Sequence, residues 1–137
     1  MHSKILTVTS AKVNGSKKRA IIKFSGLWLN EIGFSSNNLV EVISEPEKIV
    51  FKVCGEGIEA YEKTLKAMLR KKSGLLQIQK SRSNKINVPA FDVKGRWIEA
   101  LGFTIGSVVL LRYEFGIITS RLIDIDKLEN LQRGAFS

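Results

Sequence analysis

The sequence predicts a mainly β fold with short helices, in which two copies of one structural unit lie within a single chain. A nine-residue motif at residues 26–34 (GLWLNEIGF) recurs at residues 95–103 (GRWIEALGF), at an offset of 69. Each copy is followed by two β-branched apolar segments separated by a turn, a pattern typical of a β-hairpin. The chain of 137 residues is 44% hydrophobic, enough for one domain with a substantial core.

The elements of the two copies follow in the same order along the chain. A β-type segment comes first, followed by a polar basic loop, a second apolar segment, the motif and the hairpin. The β segments are, in pairs, residues 4–9 and 75–80, 20–24 and 86–91, 39–43 and 108–112, and 49–53 and 117–122. A unit of this size buries only a modest core alone, so the two copies are expected to complete each other.

The nine-residue motif predicts a short helix with a built-in stop. If Gly33 takes the left-handed conformation after the helix, Leu29 and Phe34 make the apolar contact of a Schellman ending. Trp28 and Ile32 lie one turn apart on the helix, so the tryptophan of each copy is expected to anchor the core. The alternative is a tryptophan that is exposed for stacking on bases. The structural motif comprises Gly26, Trp28, Gly33, Phe34, Gly95, Trp97, Gly102 and Phe103.

These patterns divide the chain into a first repeat at residues 1–54, a connector at 55–74, a second repeat at 75–122 and a C-terminal tail at 123–137. The connector is predicted to be helical because its apolar residues recur at helical spacing and glycines punctuate its ends. The two repeats are expected to form one compact domain.

Composition excludes several classes of protein. Cys54 and His2 are the only cysteine and histidine, so neither an internal disulfide nor a zinc site is expected, and no metal or cofactor is predicted. No segment combines a basic stretch with an apolar run and a cleavage site, and no apolar run is long enough for a spanning helix. The expectation is a cytoplasmic protein with no membrane partner.

The charge distribution predicts a nucleic-acid interface. The formal net charge is +9, and residues 4–23 carry six bases and no acid, while residues 66–96 carry nine bases and one acid. These segments occupy corresponding parts of the two repeats, so their basic loops are expected to share one edge of the fold. The predicted interface comprises Lys12, Lys17, Lys18, Arg19, Lys80, Arg82, Lys85, Lys94 and Arg96. Because most are lysines, binding is expected to be weakly sequence-specific, with Asn84 and Asn87 as further candidates for base contacts.

Catalysis is the competing interpretation, and the sequence offers it little support. His2 lies at the terminus, and no nucleophile elbow or phosphate-binding glycine loop is present. A metal-independent ribonuclease could use a carboxylate beside a base, and Glu99 near Arg96 or Asp92 near Lys94 are the weak candidates. A carboxylate among bases is more often a surface ion pair, so the sequence favours binding over catalysis.

The second repeat, from its β segments through Pro89 and the motif to Gly106 and Val109, resembles the SymE-type toxin family. That family is assigned to the wider AbrB/MazE/SpoVT group of swapped-hairpin β-barrels. The first repeat is more divergent, with Ala20 in place of Pro89 and Asn37 in place of Gly106. The resemblance implies an AbrB-like barrel that this chain forms as an intramolecular pseudo-dimer, with an approximate two-fold axis between the repeats.

The resemblance also bears on function, because the family's proteins are variously regarded as RNA-cleaving toxins and as nucleic-acid-binding proteins. The prediction is a protein that binds the backbone of DNA or RNA through paired basic loops, as a regulator or toxin–antitoxin component. Two alternatives stay open: an endoribonuclease toxin, and a mobile-element inhibitor that binds a host nuclease or ribonucleoprotein complex. The pseudo-dimer is expected to be a monomeric chain, with higher assembly and a protein partner both compatible with the sequence.

Overall fold

The computed structural model of the chain describes residues 2–13, 17–55, 74–83 and 86–123. Within these ranges about two thirds of the residues lie in β-strands and two short helices are present, so the predicted mainly β fold is confirmed. The predicted connector helix, the tail beyond Ile123, and the candidate residues Asn84 and Lys85 lie outside the described residues.

The predicted elements occur in the predicted order in both copies, but an additional strand, at residues 9–13 in the first copy and 79–83 in the second, takes up much of the segment predicted as a basic loop. The first copy contains β1 (His2–Thr7), β2 (Thr9–Val13), β3 (Lys17–Ser25), α1 (Trp28–Glu31), β4 (Leu39–Glu45) and β5 (Lys48–Gly55). The second contains β6 (Gly74–Gln77), β7 (Gln79–Ser83), β8 (Ile86–Lys94), α2 (Arg96–Ala100), β9 (Val108–Glu114) and β10 (Ile117–Ile123). Both predicted hairpins are present, β4–β5 and β9–β10, each closed by a two-residue turn.

The described strands form two antiparallel sheets. The larger has the order β1-β9-β10-β5-β4-β6 and the smaller the order β2-β3-β8-β7. Val8 and Ile78, both fully buried, separate β1 from β2 and β6 from β7, so the chain passes from one sheet to the other at these residues. Across the described residues the sheets stay open and do not close into a barrel.

The first strand of each copy pairs with a strand of the other copy. β1 pairs with β9 and β6 pairs with β4, and the registers correspond, because Leu6 lies opposite Val109 as Leu76 lies opposite Val40. In the smaller sheet, β3 and β8 pair symmetrically about Lys23 and Asp92. In the larger sheet, β5 and β10 pair symmetrically about Val50 and Thr119. Since these central pairs join equivalent positions, a pseudo-two-fold axis relates the copies and passes through both sheets.

The helix endings match the prediction from the motif. The Phe34 N–H donates to the Leu29 carbonyl at 2.8 Å, and Gly33, with a φ of 84°, donates to Asn30 at 3.2 Å. This is the Schellman pattern of bonds. The equivalent bonds in α2 run from Phe103 to Ile98 and from Gly102 to Glu99, both at 3.0 Å. The four apolar members of these endings are fully buried: Leu29, Phe34, Ile98 and Phe103.

The prediction that both tryptophans anchor the core is wrong. Trp97 is 42% exposed, and Trp28 is half-buried at the margin of the core. The short helices run from the smaller sheet toward the larger one, so the side chains that follow each tryptophan, Leu29 and Ile98, point into the core instead.

Four phenylalanines occupy the centre of the core. Phe24 stacks on Phe91 at 4.6 Å between ring centroids, and Phe51 lies 5.1 Å from Phe24 and 5.3 Å from Phe91. Phe34 stacks on Phe91 at 5.9 Å. Because Phe24 and Phe91 are cross-strand partners of β3 and β8, this aromatic cluster joins the two copies. None of the helices described in this structure is long and apolar enough to cross a membrane.

Candidate nucleic-acid interface

Two hairpins extend beyond the shared centre of the smaller sheet. β3 pairs with β8 only over Ile21–Ser25, so its earlier residues pair with β2 alone. β8 pairs with β3 only from Ala90 onward, so its earlier residues pair with β7 alone. We call these extensions the first arm (residues 9–13 and 17–20) and the second arm (residues 79–83 and 86–89).

The arms point away from each other along the strand direction. β3 and β8 are antiparallel, so the β2–β3 pair extends beyond one end of the segment that β3 and β8 share, and the β7–β8 pair extends beyond the other end. The expectation that the two basic segments share one edge is therefore wrong. Lys17, Lys18 and Arg19 also belong to β3 instead of a loop, and Arg82 belongs to β7.

The first arm is a two-stranded ribbon rich in positive charge. Lys12 of β2 lies directly opposite Lys18 of β3, and both side chains are exposed. Like charges directly opposite each other destabilise a sheet, and an anion that binds between them relieves the repulsion. Lys17 opens β3 in the same arm. Arg19, next along the strand, is half-buried and points to the other face of the ribbon.

Two further predicted residues lie at the base of the first arm. Lys94 is the cross-strand partner of Ile21, and the Gly95 N–H donates to the Ala20 carbonyl at 3.0 Å. Arg96 follows at the start of α2, and both basic side chains are exposed. The structure therefore gathers at one end of the sheet a set of six predicted residues: Lys12, Lys17, Lys18, Arg19, Lys94 and Arg96.

The second arm carries fewer of the predicted bases. Lys80 and Arg82 are exposed on β7, and Arg82 lies opposite Asn87, the position equivalent to Lys18. The residues equivalent to Lys94 and Arg96 are Ser25 and Leu27, so the base of this arm is uncharged. The two arms are thus equivalent in backbone but unequal in charge.

Glu99, a weak catalytic candidate from the sequence, has structural partners. One carboxylate oxygen accepts a hydrogen bond from the Ala20 N–H at 3.3 Å, and the other lies 3.8 Å from an Arg19 guanidinium nitrogen. The Ala20 N–H needs this acceptor because β8 ends one residue short of it. At the equivalent place in the second copy stands Pro89, which has no N–H to satisfy. The divergence between Ala20 and Pro89 therefore matches the end of the β3–β8 pairing, where a backbone N–H has no strand partner and must be bonded by a side chain or be absent.

Asp92, the other weak candidate, is exposed and lies opposite Lys23 at the pseudo-two-fold axis. No group of three or more His, Cys, Asp or Glu side chains is placed to hold a metal ion within the described ranges.

The two tryptophans have equivalent backbone positions and different neighbours. The Lys4 ammonium lies 4.3 Å from the Trp28 ring centroid, the Tyr113 ring lies 4.9 Å away, and the indole N–H donates to the Ser25 carbonyl. Trp97 instead borders a pocket of about 540 Å³. Sequence reasoning missed this pocket, whose signal is a pair of replacements between the copies: the strand registers place Gly74 where the first strand of the other copy has Lys4, and Ser44 stands at the position of Tyr113.

Comparison with known proteins finds no match, because no family model fits the sequence and no curated protein or solved structure shows significant similarity.

Proposed function

We propose that this chain is a nucleic-acid-binding protein that grips duplex DNA with its two arms. The carrying observation is the pair of exposed ribbons that project from opposite ends of one sheet and are related by the pseudo-two-fold axis. A two-stranded β-ribbon fits the major groove of B-form DNA, whereas the deep, narrow major groove of duplex RNA excludes side chains. The backbones of a duplex have two-fold symmetry as well, so equivalent arms meet equivalent phosphates.

The separation of the arms supports the proposal. Lys18 and its equivalent Asn87 are each five residues from the central Lys23–Asp92 pair. Ten residues of strand span about 33 Å. One turn of a DNA duplex measures about 34–36 Å, so the arms are spaced to enter successive major grooves on one side of the helix.

The composition of the arms supports contact mainly with the DNA backbone. Lys12 and Lys18 present compact, flexible charges that pair with phosphates without reading bases. Arg82 and Asn87, side by side on the second arm, are of the types that bond purine edges. We therefore propose binding in which phosphate contacts dominate and the second arm adds a modest sequence preference.

We further propose that the fold is a swapped-hairpin arrangement of the AbrB and SymE type, formed inside one chain by duplication. The reciprocal pairing of β1 with β9 and of β6 with β4 supports it, since each copy is completed by a strand of the other. The backbone conformation supports it as well, because Asn37 and Gly106 occupy equivalent positions in the two copies and both have a positive φ.

An internally completed pseudo-dimer is expected to be monomeric in solution. Size-exclusion chromatography with light scattering should give the mass of one chain, 15.3 kDa. The reason is that the strands at the centre of each sheet already pair within the chain, β3 with β8 and β5 with β10. A dimer that persists at nanomolar concentration, with no folded monomer, contradicts the internal completion.

Direct binding assays test the proposed function. Purified protein is incubated with labelled duplex DNA of 20 base pairs, the same duplex in RNA, and the single strands, all in the presence of chelator. We expect an uncut, retarded duplex DNA and weaker retention of duplex RNA. A DNA duplex of 8 base pairs is too short for both arms and should bind at least about tenfold less tightly.

Two outcomes contradict the proposal. Strands that are cleaved by protein purified a second time support the ribonuclease alternative. No retarded complex with any of the polymers at about 0.15 M salt excludes the arms as a nucleic-acid interface.

A further inference from the structure

The seam between the two sheets is filled on one side of the pseudo-two-fold axis and open on the other. On the filled side, Lys4 and Tyr113 pack against Trp28. On the open side, the equivalent positions hold Gly74 and Ser44, which lack the side chains to reach Trp97. The strand pairing is equivalent on both sides, so among the described residues the pocket corresponds to the replacement of two large side chains by small ones.

The open side has the features of a ligand site. Val42 and Val93 form an apolar floor, and the half-exposed Trp97 ring forms one wall. Asp92 and Lys94 supply a charge of each sign at the rim. A volume of about 540 Å³ falls in the range typical of small-molecule sites.

The charges favour an anionic aromatic ligand over a cationic one. Lys94 lines the pocket and Arg96 is exposed two residues further along the chain, against the single acid Asp92. A cationic ligand that took the place of the Lys4 ammonium would be repelled by Lys94 and Arg96, whereas phosphates are attracted to them. The aromatic part of the ligand replaces the ring of Tyr113, and the Asp92 carboxylate accepts from an exocyclic amine as acids do from cytosine.

We propose that the pocket beside Trp97 binds an unpaired nucleobase, stacked on the indole ring, with Lys94 and Arg96 contacting the flanking phosphates. The inference rests on the proposed function. It assigns to Lys94 and Arg96, which lie where the first arm joins the sheet, a contact with a nucleotide that is not paired in the duplex. Stacking on an aromatic side chain is the usual way proteins hold unpaired bases, and its strength depends little on sequence.

Tryptophan fluorescence tests the pocket directly. In a Trp28→Phe variant, Trp97 is the only tryptophan, and a single-stranded tetranucleotide should quench its emission on stacking. A Trp97→Phe variant, in which Trp28 is the remaining tryptophan, should show no quenching and should bind a labelled tetranucleotide about tenfold or more weakly. No quenching in the Trp28→Phe variant overturns the proposal.

A filled pocket provides the matched control. Ser44→Tyr and Gly74→Lys, added to Trp28→Phe, install the side chains that occupy the equivalent seam. A Cβ at Gly74 would lie 3.7 Å from the Val42 Cβ, an ordinary contact, so the lysine can be accommodated. We expect the filled variant to lose quenching with an unchanged unfolding temperature. The added lysine would strengthen binding that depends on charge alone, so quenching that persists or increases overturns the proposal.

The pocket and the arms can fail separately. Neutralising Lys12, Lys18, Lys80 and Arg82 should weaken duplex binding by two to three orders of magnitude and leave the tetranucleotide quenching of Trp97 in place, because none of these residues lines the pocket. Quenching without duplex binding by the unaltered protein contradicts the proposed function and retains the pocket. Duplex binding without quenching contradicts the pocket and retains the proposed function.

Discussion

Replacing Lys12, Lys18, Lys80 and Arg82 with glutamine is expected to weaken duplex DNA binding at about 0.15 M salt by two to three orders of magnitude. These four side chains are exposed on the arms and are not part of the core. Each phosphate contact that is removed lowers the slope of log K against log salt by about 0.9, so the full variant should lose about 3–4 units of slope. Fluorescence anisotropy at several salt concentrations measures both quantities.

Arg19 is left unchanged in this variant because it is half-buried and lies beside Glu99, so its replacement would also disturb an ion pair. The matched control replaces Lys48, Lys52, Arg112 and Arg121 with glutamine. These residues belong to the larger sheet, so the control removes the same charge from a surface outside the arms. Equal losses in the two variants would show that binding depends on net charge, and would contradict the assignment to the arms.

Phe24→Ala is expected to lower the free energy of unfolding by about 3–5 kcal/mol, as large-to-small changes of buried aromatic residues do. Phe24 is 1% exposed, stacks on Phe91 and meets the edge of Phe51. The cavity would open between the two copies, so both should lose stability together. Urea denaturation monitored by far-ultraviolet circular dichroism and by tryptophan fluorescence measures the effect.

Phe115→Ala is the control for this change. Phe115 is 80% exposed at the turn between β9 and β10, so its removal should cost less than about 1 kcal/mol. In the Phe24→Ala variant the two probes should give one coincident transition, since each copy is completed by the other. Two separate transitions would mean that the copies fold independently, and would contradict the reciprocal exchange of strands.

The sequence predicted the elements of the fold well because their signals are local. The repeated motif, with glycine at positions 33 and 102, fixed two helix endings whose hydrogen bonds the structure reproduces. Apolar β-branched segments on either side of a turn were sufficient to predict both hairpins, because such residues favour strands and the turn lies next to them in the chain. The offset between the repeats predicted their equivalence, which the pairing of β3 with β8 and of β5 with β10 bears out, since the central partners in each pair are 69 residues apart.

The candidate site was predicted less well, because its geometry depends on long-range pairing. The residue types and the basic segments are properties of the sequence. The direction of the arms depends on how β3 pairs with β8, and antiparallel pairing about Lys23 and Asp92 places the first residues of these two strands at opposite ends of the sheet. The partners of Glu99 depend on the same register. The last residue pair of β3 and β8 is Ile21 with Lys94, so the Ala20 N–H has no partner on β8 and donates to Glu99 instead.

By itself the sequence determined the duplication, the order of strands and short helices, and the surplus of positive charge, because each of these is encoded within a few tens of neighbouring residues. Only the tertiary structure decided that the copies exchange strands, that six predicted bases gather at one end, and that the seam beside Trp97 is open. Those features arise from residues far apart in the chain that the sheet register brings together, such as Trp97, Val42 and Ser44, which line the same pocket.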